Sequence, residues 1–191
     1  MKKYLESSYY IDYSDPDVFS LAKSLSDGFP SEEVIAKNCF EWVRDNIKHS
    51  SDFKLNPLTS RASDVLKFKT GYCFAKSHLL AALLRANKIP TGLCYQRLSI
   101  KGDGPPFSLH GLNAVFLKEY GWYRVDPRGN KTGINAKFTP PVENLAFSIN
   151  LTGEADIPEI YSKPLPEVLS AFEKCNTYDE FYENLPDMEI R

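Results

Sequence analysis

The sequence has few of the marks of metal, phosphate or membrane chemistry. It contains no His-x-x-x-His and no paired Cys-x-x-C, and its acidic residues are scattered, so neither a metal site nor any other cofactor is expected. No glycine-rich phosphate loop occurs, because Lys101-Gly-Asp-Gly reads as a turn among its neighbours. Lys and Arg (23 residues) nearly balance Asp and Glu (25) for a net charge of −2, and no basic cluster stands out. Nucleic acid and anionic membrane surfaces are therefore not expected partners. No apolar run approaches the roughly 18 residues that a membrane span needs. The opening stretch MKKYLESSYYIDYSD has lysines without an apolar segment behind them, unlike a signal peptide. The four cysteines (Cys39, Cys73, Cys94, Cys175) are far apart, which points to reduced thiols and a cytoplasmic location rather than to a disulfide scaffold.

What is present is a globular composition. Hydrophobic content of 42% and aromatic content of 13% over 191 residues suit a single domain with a real core. Tyr9, Ile11 and Tyr13 alternate as in a short strand. Ser14-Asp15-Pro16 supplies a cap and a first-turn proline for a helix that ends by Gly28. Ser31 caps a second helix, with Glu32 and Glu33 in its first turn and Ile35, Cys39, Trp42, Val43 and Ile47 on one face. His49 closes it, in a structural role. Ser63-Asp64 opens a short helix through Phe68. GLCYQRLSI after Pro90, Leu109 to Leu117, and Trp122 to Asp126 read as strands, the last two forming an antiparallel hairpin. Leu145 to Leu151 is a further candidate strand. Short helices follow near Glu167 to Lys174 and from Thr177, which has Glu180 three residues on in a capping-box pattern. The order gives an α+β class: N-terminal helices packed on an antiparallel sheet.

The segment Thr70 to Pro90, TGYCFAKSHLLAALLRANKIP, organises the rest. From Phe74 it reads as a helix with a broad apolar face, ending with Asn87 in the left-handed position and Pro90 forbidding continuation. Cys73 falls on the first turn, where free N–H groups and the positive end of the helix dipole favour a thiolate. On position alone Cys73 is either an activated nucleophile or one more small buried hydrophobe. His78, five residues on, points about 140° away and is a surface or packing residue. His110 heads a strand, and Asp126 ends the next one, before Pro127. Direct opposition of the two centres the hairpin on Lys118, whereas a turn with Gly121 in the left-handed place centres it on Tyr120 and leaves them offset. Taken singly, His110 also fits a core histidine, and Asp126 a turn former.

Taken together, GYCFAKSHLLAALLRANKIP, HGLNAVFL and GWYRVDPRGN, with SRASDVLK and the helix FEWVRDNIKHS ahead of them, resemble the transglutaminase-like superfamily. The resemblance runs from about Ala36 to Asn130. It implies a papain-like, transglutaminase-core α+β fold, with a core at about 31–130 and residues 131–191 packing on or covering it. It implies Cys73 as nucleophile, His110 as general base and acid, and Asp126 as the orienting carboxylate. The activity implied is acyl transfer on amide or peptide bonds through a thioacyl intermediate. Hydrolysis, as a cysteine protease or amidase, is favoured over protein-glutamine transamidation and over a non-catalytic peptide-binding module. The partner is then a peptide, a protein or a small amide. Leu112, where the family often has an aromatic, and the bulky Tyr72 before Cys73 bear on specificity. For the second oxyanion donor, Gln96 and Trp42 offer themselves weakly.

Overall fold

The computed structural model describes residues 1–189. Its central element is the helix α5 (Cys73–Ala86), every residue of which is buried. A helix that is apolar nearly all round has to be covered on all sides. Here α1 (Pro16–Ser26), α2 (Glu32–Asn46) and α4 (Ala62–Phe68) pack on it, and strands β3 (Thr91–Ser99) and β4 (Phe107–Leu117) close the opposite side. With β5 (Gly121–Val125) and β6 (Ala155–Tyr161) these strands form one antiparallel sheet in the order β5-β4-β3-β6. Helices on one side of an antiparallel sheet make this the expected α+β arrangement.

Local chemistry sets most helix starts as the sequence predicts. Asp15 accepts from the N–H groups of Asp17 and Val18 ahead of Pro16, Ser31 caps α2, and Thr177 caps α7 (Tyr178–Glu183). Helix α6 (Pro166–Lys174) precedes α7. The start of α4 is different. Asp12 reaches across the chain to accept from Ser63 N–H at 3.0 Å and Ser63 Oγ at 2.6 Å.

That contact explains why Tyr9, Ile11 and Tyr13 form no strand. The segment is a turn held by fully buried Ile11 and by the bond from Ala62 N–H to Tyr10 O at 3.0 Å. Residues 145–151 likewise form no strand, and the last strand of the sheet is β6. Helix α5 ends with Lys88, not Asn87, in the left-handed conformation (φ 62°).

Two short elements shape the entrance to α5. The chain leaving α2 forms β1 (Lys48–His49), and the chain entering α5 forms β2 (Thr70–Gly71), the two pairing in parallel as Lys48↔Thr70 and His49↔Gly71. Between them in the chain lie the single turn α3 (Ser50–Phe53) and helix α4. His49 therefore does not close α2, which stops at Asn46. It sits in an extended, buried position beside the first residues of α5.

Residues after 130 are not peripheral. Val168, Ala171, Phe172 and Phe181 belong to the same apolar cluster as Leu79, Leu80 and Tyr95. Among the described residues no helix is long and apolar enough to cross a membrane.

Candidate active site

Cys73 is the first residue of α5, so its thiol lies against the free N–H end of a buried helix. Strand β4 supplies the facing surface. Because β5 pairs only with Asn113–Leu117, the part of β4 before Asn113 has an open edge. Gly111 N–H on that edge donates to Cys73 Sγ at 3.4 Å. This close approach needs glycine: a Cβ on Gly111 would lie 2.7 Å from a Phe74 ring carbon and 3.1 Å from Phe74 Cα.

His110 precedes Gly111. Its Nε2–H donates to Asp126 Oδ2 at 2.7 Å, which turns the other ring nitrogen, Nδ1, to the Cys73 side. The hairpin register explains the contact. Asn113 opposes Val125 and Leu117 opposes Gly121, so the turn centres on Glu119, between the two expected alternatives. Asp126, one residue beyond β5, is one diagonal step from His110 on the same face. Asp126 is fully buried and is held by three donors. Besides His110, Arg128 N–H reaches Oδ1 at 3.1 Å and Ala146 N–H reaches Oδ2 at 3.2 Å. The structure thus brings Cys73, His110 and Asp126 into one constellation.

Burial alone would depress the His110 pKa, but the Asp126 carboxylate and the Cys73 sulfur raise it to about 10. Burial pushes the Asp126 carboxyl up, yet the His110 charge, its hydrogen bond and the two backbone donors bring it below the ordinary value. The linkage has a definite sign. The contribution of His110 to stability is fully present below its ordinary pKa of 6.5 and is lost as pH rises toward about 10. That of Asp126 is present above the ordinary carboxylate pKa and is lost as pH falls through its lowered value. Thermal unfolding followed from pH 6.5 to 10 should show a decline that His110→Asn flattens. An equal slope in both proteins would contradict the ion pair.

The constellation opens into a cleft of about 660 Å³. One wall is Phe147, whose ring meets His110 edge-on at 4.9 Å and carries the Arg128 guanidinium 5.6 Å from its centre. Arg128 is itself gripped by Asp52 through bonds of 2.7 and 2.9 Å. Burial would raise the Asp52 carboxyl, but Arg128 and Lys131 lower it to about 2. The other wall comes from the C-terminal segment: Tyr182 and Leu185 line the cleft, and Leu109 N–H donates to Pro186 O at 2.7 Å. Below the floor, buried Lys76 donates to the carbonyls of Ile47 and Arg44 at the end of α2. Burial and the Arg128 charge lower its ammonium pKa to about 7.

Of the other candidate residues, His78 is a packing residue. It is buried against Tyr10, with Nδ1 2.7 Å from Ser60 O, and burial drops its pKa to about 4. Trp42 lies outside the cleft under the Lys69 ammonium. Gln96 spends its amide N–H groups on Phe147 O and Asp156. Neither reaches the sulfur. Sequence reasoning misses Arg128, Phe147 and His49 as cleft residues. Arg128 and Phe147 carry no local pattern, and His49 reads as a helix terminator.

Among the described residues no group of His, Cys, Asp and Glu is arranged to hold a metal ion.

A candidate cysteine protease from Cytophaga hutchinsonii superposes with a TM-score of 0.53 at 21% identity, over 65% of this chain and 40% of that one. At that identity the likeness concerns the fold. The periplasmic domain of TgpA from Pseudomonas aeruginosa aligns at 19% identity over 65% of this chain and 45% of that one, with a TM-score of 0.47. A curated acetylornithine aminotransferase from Lactococcus lactis is 43% identical over 54 residues, which are 28% of this chain and 14% of that protein. The chain therefore spans less than half the length of each of these proteins. The sequence profile of the transglutaminase-like superfamily matches residues 20–127, more than half of the chain, from α1 through the hairpin that carries His110 and Asp126. The chain belongs to the transglutaminase-like superfamily.

Proposed function

We propose that the protein is a cysteine-nucleophile acyl-transfer enzyme acting on amide or peptide bonds, with water as the favoured acceptor. The observation that carries this reading is the juxtaposition of Cys73, at the N-terminus of α5, with a buried His110–Asp126 pair 2.7 Å apart, Cys73 and His110 both lining one cleft. Membership of a superfamily with cysteine-protease-like relatives supports it. The four unpaired thiols suit a reducing, cytoplasmic setting. The whole chain is taken as one domain, because residues after 130 complete the core and one cleft wall.

The steps follow from the geometry. The thiol proton passes to His110 Nδ1 as Sγ attacks the carbonyl carbon, a C–S bond forms, and the π pair moves to oxygen. The backbone N–H of Cys73 meets the developing charge. As the tetrahedral species collapses, the C–N bond breaks and His110 gives its Nδ1 proton to the leaving amine. Water then adds to the thioester, its proton passing to His110, and the C–S bond breaks to release the acid. Asp126 holds the ring and stabilises the imidazolium throughout. Phe147 and Arg128 shield this pair from bulk water, which strengthens it.

The test is intact-mass spectrometry of the protein with a panel of peptides, small amides and p-nitrophenyl esters. A mass increase of one acyl group, absent in Cys73→Ala, is expected, with turnover in water and no requirement for an added amine. If added amines alone release the acyl group, the enzyme is a transamidase. If no adduct forms and Cys73 is alkylated no faster than a free thiol, the fold serves binding and the enzymatic reading fails.

A further inference from the structure

Arg128 brings to the cleft a positive charge that the protein does not use up. Its guanidinium gives two N–H bonds to Asp52, and Lys131 gives the same carboxylate a third, so two cations share one anion. Among the described residues, the sealed side-chain atoms without a partner lie on His49, Arg61, Ser77, Gln96 and Asn113. Arg128 Nε–H, which donates to nothing in the protein among those residues, is therefore open to solvent. The guanidinium lies over Phe147, which lines the cleft beside it. A planar fork with spare donors, half-dry against an aromatic ring, is a good seat for a carboxylate. No free anion competes for it. Glu154 is the one carboxylate among the residues lining the cleft, and it is spent on the backbone N–H groups of Ser99, Asn150 and Leu151.

The position of Arg128 says which half of a substrate carries the charge. His110 gives its proton to the leaving amine, so that amine lies on the His110 side of the scissile carbon. Phe147 meets the His110 ring at 4.9 Å and the Arg128 guanidinium at 5.6 Å, which sets the cation one aromatic ring away from the leaving group. The acyl half then faces the other wall, where Leu109, Tyr182 and Leu185 offer apolar surface and no charge. We propose that the enzyme cleaves amides whose leaving amine carries a free carboxylate, an N-acyl amino acid or the last bond of a short peptide, with Arg128 reading that carboxylate and the leucine wall taking an apolar acyl group. The proposal rests on the reading of Cys73 as the nucleophile. It adds a binding contact and no new step: water is consumed, the C–N bond breaks, and a carboxylic acid and a free amino acid leave.

The test compares N-isovaleryl-L-alanine with its neutral twin N-isovaleryl-L-alaninamide, following release of isovalerate. In the parent protein kcat/KM should favour the carboxylate about 10–100-fold, mostly through KM, the scale of a hydrogen bond to a charged group. Arg128→Met should bring the two substrates within about twofold of each other. Arg128→Lys keeps the charge without the fork and should leave an intermediate preference, above about threefold. The ratio is the reading, because any general damage from loosening Asp52 slows both substrates alike. A parent ratio below about twofold, or the parent's ratio surviving in Arg128→Met, overturns the assignment. If the methionine variant does not fold, Arg128→Lys decides: a lowered ratio supports the assignment and an unchanged one overturns it. If neither amide is cleaved while p-nitrophenyl isovalerate acylates Cys73, this assignment fails and the proposed function stands. If Cys73 is acylated by neither ester nor amide, the proposed function falls and takes the assignment with it.

Discussion

Asp126→Ala should acylate about 10³–10⁴-fold more slowly than the parent protein, within the range for an orienting acid and the base it serves. The alanine leaves His110 Nε2–H, Arg128 N–H and Ala146 N–H without their acceptor in a fully buried spot. His110 loses its orientation and the charge that keeps it protonated, while the turn after β5 loses its internal anchor. Asp126→Asn should be milder, about 10²–10³-fold. Every partner of Asp126 is a donor, so an asparagine oxygen keeps both His110 and Ala146 if the amide nitrogen takes the Oδ1 side and Arg128 N–H goes unpaired. The ring then stays aimed but unsupported by charge, and the raised His110 pKa should drop back toward the ordinary value. Stopped-flow acylation across pH, with urea unfolding as control, checks both expectations. An asparagine variant slower than the alanine variant would show that the contribution of Asp126 has been misread.

Arg85→Met should destabilise the protein by about 3 kcal/mol without touching the cleft. Arg85 is fully buried near the end of α5 and has no carboxylate partner among the described residues. Its guanidinium donates twice to Thr91 O (3.0 and 2.8 Å), once to Glu6 O (2.8 Å) and once to Ser162 O (3.0 Å). Burial lowers its pKa to about 10. One side chain thus ties the N-terminal segment, the start of β3 and the chain after β6 to the central helix. Methionine fills the same space but leaves the Thr91 carbonyl unpaired in a dry interior, while Glu6 and Ser162 lie close enough to solvent to recover water. In a chain of this length the expected fall in Tm is roughly 6–12 °C. A loss below about 1 kcal/mol would mean that desolvating the charge offsets its four hydrogen bonds.

Much of the site is readable because its logic is local. Thr70-Gly71 before an apolar periodic run places Cys73 at a helix start, and the even spacing of His110 and Asp126 about the turn places them on one face. The caps Asp15-Pro16, Ser31 and Thr177 are readable for the same reason. What escapes depends on distant partners. Tyr9, Ile11 and Tyr13 alternate like a strand, but only Ile11 is fully buried, and a period of two cannot tell an anchored turn from a ladder. Strand β6 hides behind Pro158, which a strand tolerates at a sheet edge, where β6 lies. His49 has no neighbour in sequence that announces its burial. Its place comes from pairing with Gly71 across α3 and α4, a contact invisible to periodicity.

The bond from Leu109 N–H to Pro186 O, with Asp187 clamped to Arg97 at 2.6 and 2.7 Å, has a consequence for what can enter. The rim of β4 next to the sulfur is the natural rail for an extended polypeptide, since its amides point outward where β5 has ended. At Gly111 its amide is turned to the Cys73 sulfur, and at Leu109 the rail is already taken by the protein's own chain. An incoming strand has to unseat residues 185–187 before it can run the full rim, whereas a short amide need not, so in the proposed reaction short amides should acylate Cys73 faster than extended peptides do.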